Sequence, residues 1–183
     1  MGKGAVFLDR DDTLIENVPY LGDPSLVKLM PGAMEAIKAL RHSGFPLVIV
    51  SNQSGVGRGL ITKEQVRSVD ARMEELLGGR GIFTTYKHCY AAPGDPYDEH
   101  RKPSPLMLQE AAETHGFDLL QSYMVGNRLS DIQAGDRAGC KTILLHLRVP
   151  PDEEQEAILL ASFTAKDWPS ACDWLLQSKR AAR

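Results

Sequence analysis

The sequence has little cysteine, no long apolar stretch and no excess of positive charge, and each shortage removes a class of protein. Its three cysteines among 183 residues, Cys89, Cys140 and Cys172, are odd in number and widely spaced. They make no disulfide framework and fit a reducing cytoplasm. No apolar run approaches the roughly 20 residues that cross a bilayer, so no membrane partner is expected. Lysine and arginine number 21 against 24 aspartates and glutamates, a formal charge of −3. That balance gives no field for nucleic acid or an anionic membrane, and no basic surface is interleaved with aromatics. Internal repeats and long linkers are absent from the sequence. Met1-Gly2-Lys3-Gly4 leads straight into an apolar run, so no signal peptide is expected.

What is present is ordinary for a globular domain: 43% hydrophobic and 25% charged residues. The length suits a single domain over 1–183. Apolar runs at 5–8, 46–50, 84–90, 123–125 and 142–145 read as strands. Between them lie helical periodicities. One opens at Pro31-Gly32 and runs to about His42, with Gly44 as its stop. The next starts at an N-cap, Thr62, with Gln65 three residues on, and ends at Gly78-Gly79. Others cover about 104–116, 130–138 and 170–178. Residues 15–30 read as a loop over the end of the first strand, 91–100 as a Pro/Gly/Asp loop, and 150–158 as a surface loop or helix start. The basic tail after 178 is expected to fray. The alternation predicts an α/β fold, a Rossmann-like doubly wound parallel sheet with helices on both faces.

The chain is organised around Ala5-Val6-Phe7-Leu8-Asp9-Arg10-Asp11-Asp12-Thr13-Leu14. A buried strand ends in two acids one residue apart, which can reach one centre. Such acids are costly to bury unless they bind a cation or act on a substrate. Three further polar clusters fall after strands or before helices, where an open α/β sheet collects its ligands. Ser51-Asn52-Gln53-Ser54-Gly55-Val56-Gly57-Arg58-Gly59 offers a hydroxyl, amides and anion-cradling N–H groups. Arg101-Lys102-Pro103 offers two cations for phosphate. Asn127 and Asp131 return to oxygen ligands suited to Mg²⁺. Together these are the parts of a phosphoryl-transfer site.

In this order the clusters resemble the haloacid dehalogenase (HAD) superfamily of phosphatases. Within it they are similar to the small branch of heptose bisphosphate and histidinol-phosphate phosphatases, over roughly residues 4–146. The resemblance implies a phosphomonoester hydrolase without a large cap domain, acting on a small-molecule sugar phosphate. Heptose 1,7-bisphosphate is the first expectation and histidinol phosphate the second. It implies Asp9 as nucleophile, Asp11 as general acid and base, Ser51 as phosphoryl ligand and Lys102 as charge neutraliser. Mg²⁺ would sit on Asp9, the Asp11 carbonyl and Asn127. Substrate would be bordered by Asn17, Val18, Pro19 and Tyr20, with Asn52, Gln53, Ser54, Arg58, Arg101 and Arg128 as further contacts. An open pocket edged by 17–25, 53–60 and 91–101 is expected, in a monomer.

Three departures from the family pattern carry consequences. Asp12 stands where the family has glycine, at a place that favours unusual backbone angles, and its charge could repel phosphate. Asn127 replaces a metal-binding aspartate, so weaker metal binding or lower activity is expected. A catalytically weakened binding protein is therefore the alternative of a different class. Finally, the branch often carries zinc before Arg-Lys-Pro, and only Cys89 of that ligand set is retained. An improvised site of Cys89, Asp98 and His100, with His88, is disfavoured.

Overall fold

The computed structural model describes residues 2–181. In chain order the elements are β1 (Val6–Leu8), α1 (Ala33–His42), β2 (Leu47–Asn52), α2 (Ser54–Gly57), α3 (Lys63–Leu77), β3 (Thr85–Cys89), α4 (Leu106–His115), β4 (Tyr123–Gly126), α5 (Leu129–Arg137), β5 (Lys141–Leu145), α6 (Glu154–Leu160), β6 (Phe163–Ala165) and α7 (Trp168–Ala181). The strands form one parallel sheet in the order β3-β2-β1-β4-β5-β6. The order reverses at β1, which pairs with β2 on one side and β4 on the other. The crevice outside that switch point is where such sheets bind ligands.

β1 is apolar on both faces because both faces are covered. Val6 and Leu8 belong to a core shared with Ile37 and Leu40 of α1, Met73 of α3 and Trp168 and Leu175 of α7. Ala5 and Phe7 face the other way, onto Met107, Leu108 and Ala111 of α4. The expected doubly wound sheet is thus the observed one. α3 starts with the expected capping box, in which Thr62 accepts from the Gln65 N–H and Gln65 accepts from the Thr62 N–H. Its C-cap, Gly78, takes the left-handed φ of 119° that a side chain resists.

Several boundaries differ from the sequence reading, each for a local reason. β2 continues to Asn52, because Ser51 and Asn52 still pair with His88 and Cys89 of β3. The Gly-rich stretch after it holds a four-residue helix, α2. The 150–158 segment is a turn followed by the start of α6, which runs over Glu154–Leu160. β6 was not expected; three residues are too short to show a period. α7 starts at Trp168 and remains helical to Ala181, past the expected fraying point. The end of the basic tail, Ala182 and Arg183, lies outside the described residues. Among the described residues, 15–30 contains only the 3-10 turn Pro24–Leu26 and two isolated bridges, with no inserted cap.

Candidate active site

The polar clusters meet at the carboxyl ends of β1, β2 and β4. Asp9 follows β1 directly, and its N–H donates to the Val125 carbonyl of β4 at 2.9 Å. Lys102 arrives from the loop before α4 and is 4% exposed. Its Nζ donates to Asp9 Oδ1 at 2.6 Å and to the Val50 carbonyl at 2.7 Å, and lies 2.7 Å from Asp131 Oδ1. Asn52 fixes the backbone that carries it, accepting from the Lys102 N–H at 3.0 Å and donating to the Lys102 carbonyl at 3.2 Å. Asp131 is 1% exposed and also accepts from the Arg128 N–H at 3.0 Å, at the start of α5. Gly126 makes room for it: a Cβ there would stand 2.2 Å from Asp131 Oδ2.

The triad is electrostatically strained toward the negative side. Burial, followed by the Asp131 carboxylate, pushes the Asp9 pKa up to about 7, against the pull of Lys102. Burial works against the charge on Lys102, but Asp131 and Asp9 outweigh it and hold its pKa above the ordinary lysine range. The site has room for another positive charge, and its donors suit one. Asp9 Oδ2 and Asn127 Oδ1 both lie 3.4 Å from the Thr13 hydroxyl. Asp9, the Asp11 carbonyl and Asn127 would give an all-oxygen set fitting a hard dication such as Mg²⁺. A cation there needs Asp9 ionised. Its apparent affinity should therefore fall roughly tenfold per pH unit below about 7 and level off above. The sign for folding is opposite. Asp9 holds a proton in the native chain between about pH 4 and 7 that the unfolded chain has lost. Metal-free stability should decline as pH rises through that window. Calorimetric Mg²⁺ titrations and melts at pH 5.5, 6.5 and 7.5 measure both.

Asp11 is held from two sides. Arg10 is 1% exposed and donates through Nε and Nη2 to the Asp11 carboxylate at 3.2 Å each. Gln53 Nε2 donates to Asp11 Oδ2 and to Ser51 Oγ, both at 2.8 Å. Trp168 supports the loop from below, its indole N–H donating to the Thr13 carbonyl at 2.8 Å.

Asp12 takes the left-handed backbone, φ 56°, that explains a glycine preference at its position. Its Oδ1 accepts from the Asn17 N–H at 3.3 Å and pairs with Arg148 at 3.2 Å. The carbonyl of the same Arg148 accepts from Asn127 Nδ2 at 2.9 Å. Two of the three departures from the family pattern, Asp12 and Asn127, are thus tied to one residue. Arg148 balances the Asp12 charge, and its carbonyl accepts a hydrogen bond from Asn127 that an ionised aspartate could not donate.

Above these groups lies an open cleft of about 600 Å³. Asn17, Val18, Pro19, Tyr20, Ser51, Asn52, Gln53, Ser54, Arg101 and Arg128 all line it, with the acids and Lys102 at its floor. Not every expected contact is free. Asn52 and Gln53 spend their amides on Lys102 and Asp11. Arg128 is held by Glu153, through Nε at 3.0 and 3.1 Å. Arg58 is exposed at the far end of α2 and does not line the cleft. The 91–100 segment does not line it either; Ala91, Asp95, Tyr97 and His100 border a separate hollow with Val56 and Gly57. Arg101 lines the cleft, and its Nη1 is buried without a hydrogen-bond partner among the described residues.

The four groups weighed for zinc are engaged apart. His88 Nε2 meets Asp70 at 2.7 Å, His100 Nε2 meets Glu110 at 2.6 Å, and Asp98 accepts from the Gly94 N–H at 2.9 Å. Cys89 is buried, and burial raises its thiol pKa.

Sequence reasoning undervalued Asp131 and overlooked Arg10, Asp70, Arg148 and Glu153. One signal was available for Asp70. It lies among the buried positions Val66, Val69, Met73 and Leu77 of α3, where an acid is out of place.

The chain is similar to several known proteins. The HAD-hydrolase-like family model matches residues 99–158. A D-glycero-D-manno-heptose-1,7-bisphosphate 7-phosphatase of Chlorobaculum tepidum is 37% identical over 155 residues, 76% of this chain and 77% of that protein. The D-glycero-beta-D-manno-heptose-1,7-bisphosphate 7-phosphatase of Yersinia pestis is 34% identical, over 95% of this chain and 90% of its own. A solved D,D-heptose 1,7-bisphosphate phosphatase from B. bronchiseptica, complexed with magnesium and phosphate, superposes with a TM-score of 0.83 at 25% identity, covering 95% of this chain and 98% of that one. With its switch-point acids, its buried lysine and a likeness of 34–37% identity over 76–95% of its length to these two phosphatases, the chain belongs to the heptose-1,7-bisphosphate phosphatase family of HAD-like hydrolases.

Proposed function

We propose that this chain is a cytoplasmic, monomeric, single-domain phosphatase, Mg²⁺-dependent, that removes the C7 phosphate of D-glycero-D-manno-heptose 1,7-bisphosphate through an aspartyl-phosphate. The observation that carries the reading is the Asp9–Lys102–Asp131 triad, 2.6 and 2.7 Å apart, buried at the floor of an open polar cleft. A carboxylate nucleophile needs the phosphate charge neutralised first. When bound, Mg²⁺ on Asp9, the Asp11 carbonyl and Asn127 supplies part of that neutralisation. Ser51 holds a phosphoryl oxygen, and the Lys102 charge beside Asp9 offsets the phosphate charge. Asp9 attacks phosphorus, and the bond to the sugar oxygen breaks as Asp11 gives that oxygen its proton. Water then attacks the Asp9-bound phosphoryl group and passes its proton to Asp11, which frees Asp9. Arg101, a cation in the cleft lining, suits a second anionic group on the substrate.

Phosphate release from heptose 1,7-bisphosphate, other sugar phosphates and histidinol phosphate, with Mg²⁺ and with chelator, tests the reading. Mg²⁺-dependent release with the heptose bisphosphate preferred is expected. Histidinol phosphate as the preferred substrate would move the chain to the neighbouring branch. Retained phosphate binding without turnover would favour the binding protein. The Asn127→Asp variant separates charge from fit. It adds a negative charge to the cation site, so Mg²⁺ affinity should rise roughly tenfold, about 1.4 kcal/mol. It also deprives the Arg148 carbonyl of its donor, so metal-free stability should fall by about 0.5–1.5 kcal/mol. Mg²⁺ titration and denaturant melts with chelator read the two effects separately.

A further inference from the structure

Beneath Asp11 a line of buried polar groups runs through the protein to the edge strand. Arg10 places Nε and Nη2 on Asp11 and Nη1 on Asp70 Oδ1 at 3.0 Å. Asp70, 5% exposed, places its other oxygen 2.7 Å from His88 Nε2. The His88 side chain is 5% exposed and lies between the rings of Tyr86 and Tyr90. The line thus joins the loop after β1, the inner face of α3 and strand β3. None of the three is a phosphate ligand in the arrangement above.

We infer that Arg10, Asp70 and His88 are positioning residues for Asp11, acting on proton transfer and not on phosphate binding. This inference rests on the phosphatase reading. The geometry favours it over a purely structural role. Buried ion pairs add little net stability compared with apolar packing of the same volume, so stability alone is a poor reason for an arginine here. A planar fork, in contrast, fixes direction. Two of its N–H groups grip one carboxylate while a third is anchored to a fixed acid, so the Asp11 carboxylate cannot rotate without breaking the fork. Gln53 closes the other side at 2.8 Å. Asp70 is itself clamped by His88, which makes α3 and β3 the frame on which the proton donor is mounted.

A structural role and a positioning role part company over the leaving group. A sugar alkoxide needs the Asp11 proton as it departs; p-nitrophenolate does not. In Asp70→Asn, kcat for a sugar phosphate should fall by roughly 10- to 100-fold, part of the roughly 10²–10⁴-fold a well-placed general acid contributes. Inhibition by inorganic phosphate should stay within about twofold. The first-turnover burst of p-nitrophenol from p-nitrophenyl phosphate should stay within about threefold. Arg10→Lys, which keeps charge but loses the fork, should show the same pattern more strongly. If Asp70→Asn does not fold, His88→Leu, one step further out, should show it more weakly. Equal losses on the sugar-phosphate turnover and the p-nitrophenol burst, or no loss on either, would overturn the inference and leave the phosphatase reading standing. A parent chain that hydrolyses no phosphomonoester would overturn both.

Discussion

Asp9→Asn should reduce phosphate release by at least four powers of ten, the scale expected when a nucleophile is removed from a covalent mechanism. The chain should remain folded. Ionised Asp9 is disfavoured by burial and by Asp131, which hold its pKa near 7, and an amide carries no such penalty. Lys102 would keep Asp131 as its partner at 2.7 Å. Above pH 7 the metal-free variant should therefore melt no lower than the parent, while it fails to form an acid-stable, hydroxylamine-sensitive phosphoryl adduct. Activity within tenfold of the parent would remove Asp9 from the role assigned to it.

Lys102→Met should damage both folding and turnover. Its removal leaves Asp9 and Asp131 facing each other with no shared cation, at side-chain exposures of 10% and 1%. Removing one partner of a buried charge cluster costs about 3–5 kcal/mol, which in a chain of this size lowers Tm by roughly 10 °C. The penalty should shrink toward pH 5.5, where Asp9 takes up a proton and the repulsion falls. Turnover should drop by roughly 10²–10³-fold, as when one preorganised charge is taken from a transition state. Thermal melts with chelator at pH 5.5 and 8, together with kcat, test both. A penalty that does not change with pH would show that the lysine matters for packing alone.

The parallel sheet was legible because its strands are short apolar runs, Val6–Leu8 and Tyr123–Gly126 among them, each followed by polar residues that have no place in a core. The same contrast exposed Asp9, Asp11, Ser51 and Lys102, which the fold brings to one cleft. What stayed hidden were relations between distant residues. Asp131 could be read as a helix cap, and it is one; its second oxygen reaches Lys102 across a loop that no local spacing reports. Asn127 and Asp12 looked like independent losses, until Arg148 proved to hold both. The family resemblance assigns Asn52 and Gln53 to substrate; both line the cleft, and their amides bond Lys102 and Asp11. Arg58 belongs to the same stretch but lies beyond the turn of α2, outside the cleft. Periodicity tells which face of an element is buried; it does not tell which distant partner waits there.

The most direct test of the central claim is a ³¹P NMR time course on D-glycero-D-manno-heptose 1,7-bisphosphate with the purified chain and Mg²⁺. The account predicts loss of the C7 phosphate signal, growth of inorganic phosphate and survival of the C1 phosphate, all stopped by chelator and by Asp9→Asn. Unchanged sugar-phosphate signals at stoichiometric enzyme and saturating Mg²⁺ would contradict it.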